Sequence, residues 1–153
     1  MKIIAILLVV ILQLQVCSNK EESEPISKNV KIEFRLAEDD ALEGFEESEV
    51  NGQKIYLNPK IEITENDIVA AQKAQDDYGN HTIMLEMNEK GSEKFGELTE
   101  NNIQKKLAII VNGKVLMAPV IQMKIPGGKI QISGNFSKEE IEKLYNLLTE
   151  ERK

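Results

Sequence analysis

The chain has 153 residues, 19 basic against 26 acidic, for a formal net charge of -7. That balance excludes the positive field needed for non-specific binding to nucleic acid or anionic lipid headgroups. One cysteine and one histidine exclude an internal disulfide framework, a multi-cysteine zinc site and His-pair metal motifs, while 41% apolar and 29% charged residues is the make-up of a folded domain.

The chain opens with Met1-Lys2 and an unbroken apolar run from Ile3 to Leu12. As a helix that run reaches roughly 15 Å, about half a bilayer core, which fits a signal peptide over residues 1–16 better than a permanent span. The only cysteine follows directly. Leu14-Gln15-Val16-Cys17 resembles the processing site of bacterial lipoproteins, with Val16 where such sites carry Gly, Ala or Ser. Lipidation of Cys17 would hold the domain at a membrane by its acyl chains. Cleavage by ordinary signal peptidase, with Cys17 lost or left free, is the competing reading.

Residues 17–29 carry few apolar side chains and several glutamates, and read as a flexible acidic tether. The acid excess of the chain lies almost wholly between residues 21 and 49. Within it, Glu38-Asp39-Asp40 with Glu43, Glu46, Glu47 and Glu49 lacks the alternating spacing that folds carboxylates around one cation. It reads as a solvated loop.

The domain is expected over residues 30–153. Val30, Ile32, Phe34 and Leu36 alternate with Lys31, Glu33 and Arg35, predicting a half-buried strand. A second strand is expected over 53–57, after Asn51-Gly52. Thr64 and Asp67 fit a capping box, with Ile68 and Ala71 on one face, and predict a helix to about Ala74. A strand follows over 82–88, then a helix over 92–101 with Phe95 and Leu98 inward. Leu107 to Val111 is a continuous apolar run, suited to a central strand covered on both faces. Asn112-Gly113 predicts a hairpin into a strand over 115–125, interrupted by Pro119. Pro126-Gly127-Gly128 turns into a strand over 129–133. Ser137 and Glu140 form a second capping box before a helix with Ile141, Leu144, Tyr145 and Leu148 on one stripe. The expected fold is α+β: a single domain with a largely antiparallel sheet and about three packed helices.

Catalytic patterns are sparse. No phosphate loop or Ser-His-Asp arrangement stands at useful spacing, and Gly127-Gly128 reads as a turn. His81, at a strand start, reads as a surface or satisfied residue, and Ser133 and Ser137 lack a nearby base. The reading is a non-enzyme without cofactor or metal. Met84, Met87, Met117 and Met123 fall on expected strands, where core packing accounts for them and adaptable apolar contact is the alternative. Pro119 interrupts pairing and is expected to leave neighbouring backbone free for an extended peptide. The candidate contact surface is therefore Met117, Ala118, Pro119, Val120, Ile121 and Met123.

From Lys31 onward the chain resembles the head subdomain of the large periplasmic domain of SecD, the protein-export membrane subunit. The resemblance lies in Phe34-Arg35-Leu36, Tyr56-Leu57, Ile63-Thr64 with Asp67-Ile68 and Ala71, and Gly91, Phe95, Leu98-Thr99 and Asn102. It continues through Leu107 to Gly113, Ala118-Pro119-Val120-Ile121, and Gly127-Gly128 to Gln131-Ile132-Ser133-Gly134-Asn135-Phe136-Ser137 and Glu140. Glu65 stands where that family commonly has glycine after the threonine. The resemblance implies a head that holds emerging polypeptide, with unfolded or exported chains and Sec translocon components as partners. The base subdomain and the membrane region that couples export to protons have no counterpart in this sequence, so a stand-alone, envelope-located grip without its own proton route is expected. The alternative is a lineage-specific envelope lipoprotein that reuses the fold for another protein partner.

Overall fold

The computed structural model describes residues 22–150. The expected signal peptide and Cys17 lie outside them. Ten strands form two antiparallel sheets, with two α-helices and one 3-10 turn among the described residues.

The larger sheet is built on β2 (Ile32–Glu38), which pairs along its length with β8 (Lys106–Val111). On its other edge β2 meets β4 (Gln53–Leu57) and the two-residue β5 (Ile63–Thr64). β3 (Glu46–Val50) and β9 (Lys114–Met117) complete the order β3-β4-β2-β8-β9. Two Asn-Gly turns close its hairpins. Asn51 and Gly52 have φ of 52° and 77°, and Asn112 and Gly113 have 47° and 81°, the paired left-handed conformation that follows the twist of the flanking strands.

The smaller sheet has the order β1-β6-β7-β10: Glu24–Pro25, Ile68–Gln75, His81–Met87 and Lys129–Ile132. Residues 22–29, expected as the end of the tether, dock on the domain. Glu24 and Pro25 pair with Ala71 and Ala70, and the Ser27 N–H donates to the Leu148 carbonyl at 2.7 Å.

The inner faces of both sheets share one apolar core with the inner stripes of α1 (Glu89–Asn101) and α2 (Lys138–Thr149). Ile32, Phe34, Leu107 and Ile109 come from the larger sheet, Ile83 and Leu85 from the smaller, and Phe95, Ile141 and Leu148 from the helices. The Ser137–Glu140 capping box forms as expected, whereas α1 begins at Glu89, ahead of the expected residue 92, behind a cap at Asn88 that the sequence reading does not include. Asn88 accepts from the Gly91 N–H ahead of α1, and Ser137 and Glu140 bond reciprocally ahead of α2. A second, smaller core of Ala37, Ile55, Leu57, Ala108, Ile110 and Val115 fills the other face of the larger sheet, so β8 is covered on both faces as its unbroken apolar run requires.

Three expectations are corrected. The helix beginning at Thr64 is instead a 3-10 turn (Glu65–Asp67) running into β6, which leaves two α-helices rather than about three. The capping box itself is present, with Thr64 N–H donating to Asp67 Oδ2 at 3.1 Å. A bulge between Ile68 and Ala70 inserts one extra residue, and that puts Ile68 and Ala71 on the same face of a strand at a helix-like spacing. Second, Glu46, Glu47 and Glu49 belong to edge strand β3 rather than a loop; charged side chains suit an edge that must not recruit another chain. Third, Glu33 and Arg35 are buried, although their alternation with apolar neighbours places them on the expected polar face. Arg35 Nε donates to the Asn58 carbonyl at 2.7 Å and its guanidinium meets Glu46 at 2.9 Å, so the arginine ties β3 and the residue after β4 to β2.

Candidate functional site

Of the six residues singled out, Met117 ends β9 and the other five follow it, so the strand stops well short of Ile125. Proline cannot donate to the ladder, and the pairing of β8 with β9 already shifts register between Ile109 and Ile110. The backbone around Pro119 is nonetheless occupied, contrary to expectation. The Leu107 N–H donates to the Pro119 carbonyl at 2.9 Å, Ile121 N–H donates to the Lys105 carbonyl at 2.8 Å, and Gln104 N–H donates to the Ile121 carbonyl at 2.8 Å. The segment thus continues the sheet edge, with a bridge between Lys106 and Val120.

What this segment builds is one wall of an open cleft of about 330 Å3. Met117, Pro119, Val120, Ile121 and Met123 line it, whereas Ala118 turns to the second core. Ile121 is itself buried, so it supports the wall more than it presents a surface; Met123 is 67% exposed at the mouth. The floor is Phe34, Phe95, Leu107 and Ile109, where the two phenyl rings meet edge to face at 6.1 Å between centroids. The opposite wall is β10 and its extension: Lys129, Ile130, Gln131 and Ser133.

Specific contacts fix each wall to its neighbours. The buried Thr99 hydroxyl accepts the Ile125 N–H at 2.9 Å, tying the loop to α1, and Lys124 pairs with Glu100 at 2.8 Å on the surface. At the start of β10, Gly128 has φ of 62° and its carbonyl accepts the Met87 N–H at 2.8 Å. A Cβ there would stand 2.7 Å from the Cβ of Ser92, so only glycine lets β10 pass so near the first turn of α1. Gly127-Gly128 is a turn, as its position between strands predicts.

The floor and the β10 wall are absent from the expected surface, because they come from residues far apart in sequence that only the meeting of the two sheets brings together. The signal available was the short strand after Gly127-Gly128 with polar Lys129 and Gln131, a pattern suited to an edge.

The remaining candidates are separate from the cleft. Met84 and Met87 lie on β7, Met87 buried in the main core. His81 opens β7 opposite Gln75. Asp76 accepts from Tyr78 N–H and Asn80 N–H, both at 2.9 Å, and its bond with the Asn80 side chain heads the contacts that hold its carboxyl below the usual range. Asp39 pairs with Lys106. Among the described residues, no group of three or more His, Cys, Asp or Glu is placed to hold a metal ion, and no helix is long and apolar enough to cross a membrane. A second apolar groove lies between the β8–β9 hairpin and α2, lined by Val111, Leu116, Phe136 and Leu147 among others.

Comparison with known proteins gives one consistent result. Residues 42–151 match the family described as SecDF, P1 head subdomain. The protein translocase subunit SecD of Magnetococcus marinus is 30% identical over 151 residues, covering 86% of this chain and 29% of the relative. SecD of Aquifex aeolicus is 41% identical over 99 residues, covering 64% of this chain and 20% of the relative. A solved structure of SecDF, described as a membrane component that enhances protein export, superposes with a TM-score of 0.61 at 25% identity over 81% of this chain and 62% of that one. SecDF in its super-membrane-facing form gives 0.61 at 26% identity over 78% of this chain and 18% of that one. The chain spans less than a third of the length of these curated relatives. By its sequence and by its fold, the chain belongs to the SecDF P1 head subdomain family.

Proposed function

We propose that the chain works in protein translocation outside the cytoplasmic membrane, holding an extended stretch of exported polypeptide in the cleft between the Met117–Met123 segment and β10. The supporting observation is the cleft itself: an open, mostly apolar trough with no carboxylate among its lining residues, in a member of a family whose relatives are translocase subunits. A translocating chain exposes apolar side chains before it folds, and such a trough takes them without demanding one sequence. The role is non-catalytic and needs no cofactor. Sec translocon components are the natural neighbours, and a lipidated Cys17 would keep the head at the membrane surface.

Photocrosslinking in cells tests the reading. A photoreactive residue at Val120 or Gln122 is expected to capture exported chains during secretion, whereas one at Lys143, away from the cleft, is not. Equal capture from all three, or none from the cleft, contradicts it. The anchor is checked separately by intact mass: Cys17 carrying acyl groups supports it, and a mature N-terminus beyond Cys17 removes it.

A further inference from the structure

The register of β10 points to the way a polypeptide would be gripped, an inference that rests on the proposed polypeptide-holding role. β10 pairs with β7 through Lys129 opposite Glu86, Ile130 opposite Leu85, Gln131 opposite Met84 and Ile132 opposite Ile83. In an antiparallel ladder, pairs that exchange both hydrogen bonds alternate with pairs that exchange none. The Met87 N–H to Gly128 carbonyl bond sets the phase. Ile130 and Ile132 therefore bond inward to β7, and the N–H and C=O groups of Lys129 and Gln131 point away from the sheet. β10 is the last strand of its sheet, and Lys129 and Gln131 line the cleft.

We propose that β10 is a strand-addition edge: an extended segment entering the cleft pairs its main chain with Lys129 and Gln131 and becomes a fifth strand of the β1-β6-β7-β10 sheet. Alternate side chains of that segment would face the floor at Leu107 and Ile109. Main-chain pairing supplies affinity that tolerates many sequences, as a carrier of varied clients requires. Charge narrows the class. Lys129 is the sole charged lining residue, so the fitting occupant is an apolar extended segment with an acidic residue beside Lys129.

The test uses the full chain and a nine-residue peptide of alternating valine and threonine with one glutamate. Versions N-methylated at alternate residues in each of the two frames lack the donors for one edge or the other. One frame is expected to weaken binding at least about tenfold, the loss of two main-chain hydrogen bonds, and the other to leave it nearly unchanged. Amide exchange at Lys129 and Gln131 should slow on binding. Gln131→Pro removes one outward N–H, but also the bond its side-chain amide donates to the buried Thr82 hydroxyl at 3.0 Å, so Gln131→Ala, which loses only the latter, is the reference: the proline variant is expected to bind about tenfold more weakly than the alanine variant. Binding indifferent to methylation in both frames, with no slowing at those amides, overturns strand addition and leaves the polypeptide-holding role standing. Absence of binding by every peptide overturns both. Replacing the glutamate with lysine should weaken binding severalfold; equal affinity overturns the assigned charge preference.

Discussion

Asp67 shows at the level of one residue how this fold is locked. Burial alone would push its carboxyl up, but the Lys94 ammonium at 2.9 Å and the Thr64 N–H and hydroxyl outweigh that and hold it below the usual range. A carboxyl whose folded value is depressed adds stability above its unfolded value, near 3.9, and that stability is lost as pH falls through the folded value. Asp67→Asn is therefore expected to cost about 1–3 kcal/mol at neutral pH and to flatten the loss of stability below pH 4, as read by denaturation across pH. Equal slopes in both proteins would refute this. The same residue explains Gly91, where an added Cβ would press into the Asp67 carbonyl and stand 2.9 Å from its Cβ. Gly91→Ala is expected to destabilise by roughly 2–3 kcal/mol in urea unfolding. Gly128→Ala combines a left-handed φ with the Ser92 contact, and is expected to cost a similar amount and to distort the cleft wall.

Among the elements, the hairpin of β3 and β4 depends on Arg35. Removing the buried Arg35 side chain takes the 2.7 Å donor from the Asn58 carbonyl and the partner from Glu46, and leaves Lys31 as the remaining cation on the buried Glu33, so Arg35→Ala is expected to cost about 2–3 kcal/mol. Hydrogen exchange should then quicken first across Glu46–Leu57; uniform quickening would contradict the clamp. This hairpin also shows where sequence reading stops. The Asn51-Gly52 turn and β4 after it are legible, but β3 before it is not, because Glu46, Glu47 and Glu49 on an exposed edge strand carry no apolar alternation to read. β6 misleads for a different reason. Ala70, Ala71, Gln72 and Lys73 favour helix locally, and the bulge mimics its spacing, but pairing with both β1 and β7 overrides that preference. The amphipathic α2 and the buried run of β8 have one strong signal each, and both form as expected.

On the scale of the whole molecule, the two sheets share one core, and the cleft opens onto that core at Phe34, Phe95, Leu107 and Ile109. Pro119 marks in the sequence where β9 stops, but the free backbone expected beside it is taken up by Gln104, Lys105 and Leu107. The opposing β10 wall has no local pattern, since the distance between the edges of two sheets depends on the packing of Phe34, Phe95 and Gly128. The central claim is that this gap takes an extended polypeptide. The most direct measurement is a structure of the chain with an apolar extended peptide bound. The account predicts peptide main chain running beside Lys129 and Gln131, with side chains over Leu107 and Ile109. A peptide seated in the groove by Phe136 and Leu147, or one that leaves the cleft empty, would contradict it.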